Sequence, residues 1–139
     1  MSIEATENEI VDEFEMFEDW IQKYEYLIDL GKSLPLIDEK YKTEDNLIKG
    51  CQSQVWMHSE LKDGKIVYTA DSDAIITKGM VALMVRVLSN HSPEEIINSK
   101  LDFVEKIGLT KHLSPTRSNG LVSMIKQMKL DAVAYKIKN

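Results

Sequence analysis

A lone cysteine narrows the chemistry open to this chain more than any other residue. Cys51 stands in Ile48-Lys49-Gly50-Cys51-Gln52-Ser53-Gln54-Val55-Trp56. One thiol cannot close an internal disulfide, nor supply the several thiolates of an iron–sulfur scaffold or the Cys and His ligands of a structural zinc site. Two readings remain: a nucleophilic thiol on a loop tip, or a small buried hydrophobe, the ordinary fate of free cysteine. The polar neighbours Lys49, Gln52, Ser53 and Gln54, with Gly50 alongside, point to the first. Lys49 could favour the thiolate, but a loop lysine is more simply solvated and screened.

The other reactive residue types are scattered. His58 lies seven residues from Cys51, roughly 23 Å away along an extended chain, so a Cys-His dyad would need His91 or His112 to fold back. Both are expected at the surface. Asp71-Ser72-Asp73 resembles the start of a calcium loop, but the glycine and terminal glutamate of that motif fall on Ile76 and Ala82. These residues read instead as helix-capping oxygens, and no metal site is expected. Met80, Met84, Met124 and Met128 fall in i,i+4 pairs on apolar faces and read as core packing.

The elements that must position these residues follow from periodicity. Ile10, Phe14, Phe17, Ile21, Tyr24 and Ile28 predict one amphipathic helix from Glu9 to about Leu30, ended by Gly31. A loop follows around Leu34-Pro35-Leu36-Ile37, then a short strand at Asn46 to Lys49. Residues Gln54 to Leu61 alternate as a half-buried strand, Asp63-Gly64 makes a tight turn, and Ile66 to Ala70 completes a β-hairpin. Ile76, Met80, Leu83, Met84 and Val87 mark a central helix. Ser92-Pro93-Glu94-Glu95 opens a short one, with Ser92 as cap. Ser114-Pro115-Thr116 opens a last one, whose face carries Leu121, Met124, Ile125, Met128 and Ala132. The fold class is therefore α+β: a small antiparallel sheet packed against several helices.

The chain has 139 residues, and one domain over 1–139 is expected. With 43% apolar and 29% charged residues, its composition is that of a soluble globular protein. The acidic N-terminus lacks a secretory pattern, no apolar run would span a bilayer, and the single cysteine favours a reducing compartment; the cytoplasm is expected, and no membrane partner. A net charge of −6 argues against nucleic acid.

Four segments together resemble the SufE family: Gly50-Cys51-Gln52-Ser53-Gln54-Val55-Trp56; Ala70-Asp71-Ser72-Asp73-Ala74 with Lys78-Gly79; Ile107-Gly108-Leu109; and Leu113-Ser114-Pro115-Thr116-Arg117-Ser118-Asn119-Gly120-Leu121. The one departure, Thr116 where the family pattern has Ser, keeps a hydroxyl. The resemblance implies a SufE/IscU-like fold and a sulfur acceptor that receives persulfide sulfur on Cys51, stimulates the donor desulfurase and feeds iron–sulfur cluster assembly. It further implies that Gly50, Gln52, Ser53, Asp71, Ser72, Asp73 and Arg117 help dock the partner. For Arg117, an ordinary helix-start salt bridge is the rival account. The implied partners are a SufS-type or CsdA-type cysteine desulfurase and a downstream scaffold such as the SufBCD complex. Pyridoxal phosphate would belong to the desulfurase, with no cofactor bound here. A non-catalytic module that regulates a desulfurase is the alternative. Protecting a persulfide from water further predicts that Cys51 rests turned inward, near the hairpin or the helix from Ala74 to Leu88.

Overall fold

The computed structural model describes residues 2–138. Its α+β architecture is a two-stranded antiparallel sheet packed among seven helices. The expected helix over 9–30 is two helices, α1 (Ile3–Glu15) and α2 (Trp20–Gly31). The interruption is a capping device hidden inside the apolar stripe. Asp19 Oδ1 accepts the Gln22 N–H at 2.9 Å, and Gln22 Oε1 accepts the Glu18 N–H at 3.0 Å. The turn brings both Phe14 and Phe17 against the Tyr26 ring. It also rotates the buried face to Leu27 and leaves Ile21 70% exposed.

The hairpin forms as its alternation predicts, with β1 (Val55–Lys62) paired in register to β2 (Lys65–Ser72). Asp63 and Gly64 both take positive φ, 53° and 78°, the combination that lets a two-residue turn follow the strand twist. Both edges are partly covered. Beside β2, Ile37 N–H donates to Ala70 O and Ala70 N–H to Pro35 O, while Ile66 N–H donates to His91 O. Beside β1, Ile48 N–H donates to Val55 O at 2.8 Å. The expected strand at 46–49 is only this contact, because Glu44–Asn46 is a helical turn and Gly50 at φ +93° swings the chain away.

Helix α3 (Ile75–Leu88) runs through the core, most of its residues buried. Gly79 fixes its seat against α2: a Cβ there would lie 2.1 Å from Leu27 O. Arg86 ties α3 to α1 through Glu9 and Glu13, the latter also accepting from the Tyr26 hydroxyl. Helix α4 (Pro93–Asn98) starts at the cap expected at Ser92, which the Glu95 side chain closes into a capping box. Two short helices, α5 (Phe103–Lys106) and α6 (Leu109–His112), lead to the long α7 (Pro115–Lys138). Helix α7 buries Leu121, Met124, Met128 and Ala132, and the buried Tyr68 hydroxyl of β2 donates to Met128 O at 2.8 Å. Met80, Met84, Met124 and Met128 are all core residues. His91, expected at the surface, is buried because its backbone extends the hairpin edge. No described helix is long and apolar enough to cross a membrane.

Candidate functional site

Cys51 sits on a loop between the Leu47–Ile48 contact and β1, and the loop owes its course to Gly50. At φ +93° this residue is in the left-handed region, and an added Cβ would lie 2.4 Å from Ser123 Oγ on α7. The next residue is thereby laid on the first turns of α7. The Cys51 thiol donates to Gly120 O at 3.5 Å, and a Cβ added at Gly120 would stand in ordinary contact with Sγ, also at 3.5 Å. At its other end the loop is pinned by Asp73, whose Oδ1 accepts the Gln54 N–H at 3.0 Å while the Asp73 N–H donates to Gln54 O.

Cys51 is half-buried beside a pocket of 340 Å³. Gln52 and Ser53 flank the pocket, Thr77 and Met80 line it from α3, and Thr116, Arg117 and Met124 line it from α7. Burial pushes the Cys51 thiol above its ordinary pKa. The thiol therefore turns toward α3 and α7, and not toward the hairpin. No histidine lines this pocket: His58 stacks on Tyr41, His112 stacks on Trp20, and His91 lies at the hairpin edge. The Cys-His arrangement does not form.

The docking residues implied by the sequence divide into two groups. Gly50, Gln52, Ser53 and Arg117 gather around the thiol, and Asp73 holds the loop. Arg117 is exposed in the first turn of α7, its N–H donating to Ser114 Oγ at 3.3 Å, and it makes no ion pair among the described residues, so the salt-bridge account fails. Asp71 and Ser72 belong to β2, opposite Trp56 and Val55. Asp71 binds Lys42 at 2.8 Å and Lys78 at 3.2 Å. Burial opposes the charge on Asp71, but the two ammonium groups and the Ser72 N–H outweigh it and hold the carboxyl below the usual range. The capping role expected for Asp71-Ser72-Asp73 is thus not what these carboxylates do. The N-cap of α3 is Ala74, whose methyl group offers no acceptor, and of the three expected oxygens only Ser72 Oγ reaches it, accepting the Ala74 N–H at 3.3 Å. Sequence reasoning gives no site role to Thr77, Gly120 or Ser123. A glycine within a helical stretch is the available signal for Gly120; for the other two none is local.

The fold matches the solution structure of a hypothetical protein from Thermus thermophilus, with a TM-score of 0.77 over 93% of this chain and 94% of that one at 18% identity. The class is thus an α+β domain that presents one loop thiol over the start of a long helix. A family model described as "SufE: Fe-S metabolism associated domain" matches residues 8–132, and the chain belongs to the SufE family. Among its relatives, an uncharacterized SufE-like protein of Synechocystis is 39% identical over 92% of this chain and 80% of its own length. One from Rhizobium meliloti is 39% identical over 90% and 93%. The chloroplastic/mitochondrial SufE-like protein 1 of Arabidopsis thaliana is 40% identical over 94% of this chain, which spans 35% of that longer protein. The family is associated with iron–sulfur metabolism.

Proposed function

We propose that this chain is a cytoplasmic sulfur acceptor and carrier: Cys51 takes persulfide sulfur from a SufS-type or CsdA-type cysteine desulfurase, whose turnover it stimulates, and delivers it to an iron–sulfur scaffold such as the SufBCD complex. The supporting observation is the placement of the lone thiol, half-buried on a loop that Gly50 bends over Gly120. The Cys51 thiolate attacks the outer sulfur of the donor persulfide. A new S–S bond forms at Sγ, the donor's S–S bond breaks, and the donor cysteine leaves as thiolate, with no net oxidation. Burial disfavours the thiolate at rest, so contact with the desulfurase must draw Cys51 out or supply the positive charge that ionises it. Gly50 is the natural hinge, and Gln52, Ser53 and Arg117 surround the exit. Pyridoxal phosphate stays with the desulfurase and supplies the chemistry that frees the sulfur there.

Desulfurase turnover, followed as alanine release from cysteine, separates this reading from a purely regulatory one. The chain should raise turnover and Cys51→Ser should not, although it still binds the enzyme. Equal stimulation by Cys51→Ser would show that binding alone activates the desulfurase and would remove the acceptor role.

A further inference from the structure

The pocket beside Cys51 contains a polar group that no contact within the fold explains. Thr77 is only 6% exposed, yet among the described residues its hydroxyl has no hydrogen-bond partner, not even the carbonyl one turn back in its own helix. Among the described residues no side-chain oxygen is both fully enclosed and unpartnered. The Thr77 oxygen therefore keeps part of that small exposure, and Thr77 lines the Cys51 pocket. A nearly buried hydroxyl without a protein partner is unfavourable unless something that comes and goes completes it.

The surroundings specify what that is. The pocket lies between the starts of two long helices. Thr77 is in the first turn of α3, and Thr116 and Arg117 are in the first turn of α7. Neither first turn carries an acid, and α3 has no side-chain cap, so both present the positive ends of their dipoles. Arg117 is the only charged side chain among the described residues that line the pocket, and the nearest carboxylate in sequence, Asp73, accepts the Gln54 N–H. Gln52, Ser53 and Ser114 add neutral polar groups at the rim, and Met80 and Met124 supply an apolar, polarisable wall. Positive potential, a nearly buried donor and polarisable methionine sulfurs suit a large polarisable anion attached to Cys51. A persulfide is such an anion, since it is a stronger acid than the thiol that carries it.

We infer that Thr77 is a positioning residue for the loaded state, its hydroxyl donating to the terminal sulfur of a Cys51 persulfide held between the starts of α3 and α7. The inference rests on the sulfur-acceptor reading above. It gives the pocket a preference between two states of one residue: the neutral thiol lies against Gly120 and leaves Thr77 unpartnered, and the persulfide anion reaches Thr77.

The test loads the full chain, Thr77→Val and Thr77→Ser with glutathione persulfide. Cys51 thiolate takes the outer sulfur and glutathione leaves as thiolate, so loading does not pass through the desulfurase and its outcome is independent of the turnover assay. The ultraviolet absorbance of the protein persulfide is titrated against pH, and its loss to dithiothreitol is timed. In Thr77→Val, which removes the donor at nearly constant volume, the bound persulfide should be about tenfold weaker as an acid and should be lost several-fold faster. Thr77→Ser should behave as the parent, and Thr77→Val, freed of an unpartnered hydroxyl, should melt no lower than the parent. An unchanged titration in Thr77→Val, a Ser variant that fails to restore the parent's curve, or a parent that takes no sulfur on Cys51 would each overturn the inference.

Discussion

Strand β1 is entered and left through glycines of positive φ that do opposite work. At its far end Gly64, φ +78°, follows Asp63 in a turn where an added Cβ would meet nothing within 4 Å. At its near end Gly50, φ +93°, faces Ser123 Oγ and seats the cysteine loop on α7. The first glycine serves backbone geometry alone. The second serves geometry and a tertiary approach, so the position of the Cys51 thiol depends on a helix distant in sequence. One end of the strand is a local solution and the other a shared one.

Substituting the two glycines should separate these roles. Gly50→Ala should cost about 2 kcal/mol, combining left-handed strain with displacement of Ser123, and should expose Cys51 so that it alkylates several-fold faster. Gly64→Ala should cost about 1 kcal/mol of strain and leave alkylation unchanged. Denaturant midpoints and iodoacetamide rates on the two variants check both halves. Similar alkylation rates would erase the contrast.

The latch at Asp73 is a smaller lever on the same loop. Asp73→Ala removes the acceptor of Gln54 N–H and should cost about 1 kcal/mol. It should raise the alkylation rate less than Gly50→Ala does, because Gly120 still receives the thiol.

The smallest effect is a pH dependence. Burial raises the Cys51 pKa, so the native alkylation rate should rise through its midpoint at a higher pH than in the denatured chain. The same shift stabilises the fold below the unfolded thiol's pKa, and that contribution fades as pH climbs through the folded value. Cys51→Ser should abolish this alkaline loss, which denaturation between neutral and alkaline pH will reveal.

The contrast between the two glycines also explains what is legible in the sequence. The hairpin can be read because alternation, an Asp-Gly turn and strand-favouring residues agree within one stretch, and the Ser92 start because its capping box is local. A single helix over 9–30 fails although Asp19 and Gln22 are in view, because an unbroken apolar stripe outweighs a cap lying within it. Proximity alone assigns Asp71 and Asp73 to a helix cap, whereas Lys42, Lys78 and Gln54 claim them from other parts of the chain. His91 reads as a surface residue because nothing nearby shows that its carbonyl completes a sheet edge. At the site, the polar company of Cys51 singles it out. Its seat on Gly120, the close approach of Gly50 to Ser123 and the unpartnered hydroxyl of Thr77 arise only once α3 and α7 converge.

The proposed function stands or falls on sulfur moving onto Cys51, and intact-mass analysis after incubation with cysteine and a cysteine desulfurase follows that step itself. The parent chain should gain the mass of one sulfur atom, lost again on reduction, and Cys51→Ser should gain none while keeping the parent's melting temperature. A parent chain that stays at its starting mass while binding the desulfurase, or a Ser variant that gains sulfur equally, would show that Cys51 is not the acceptor.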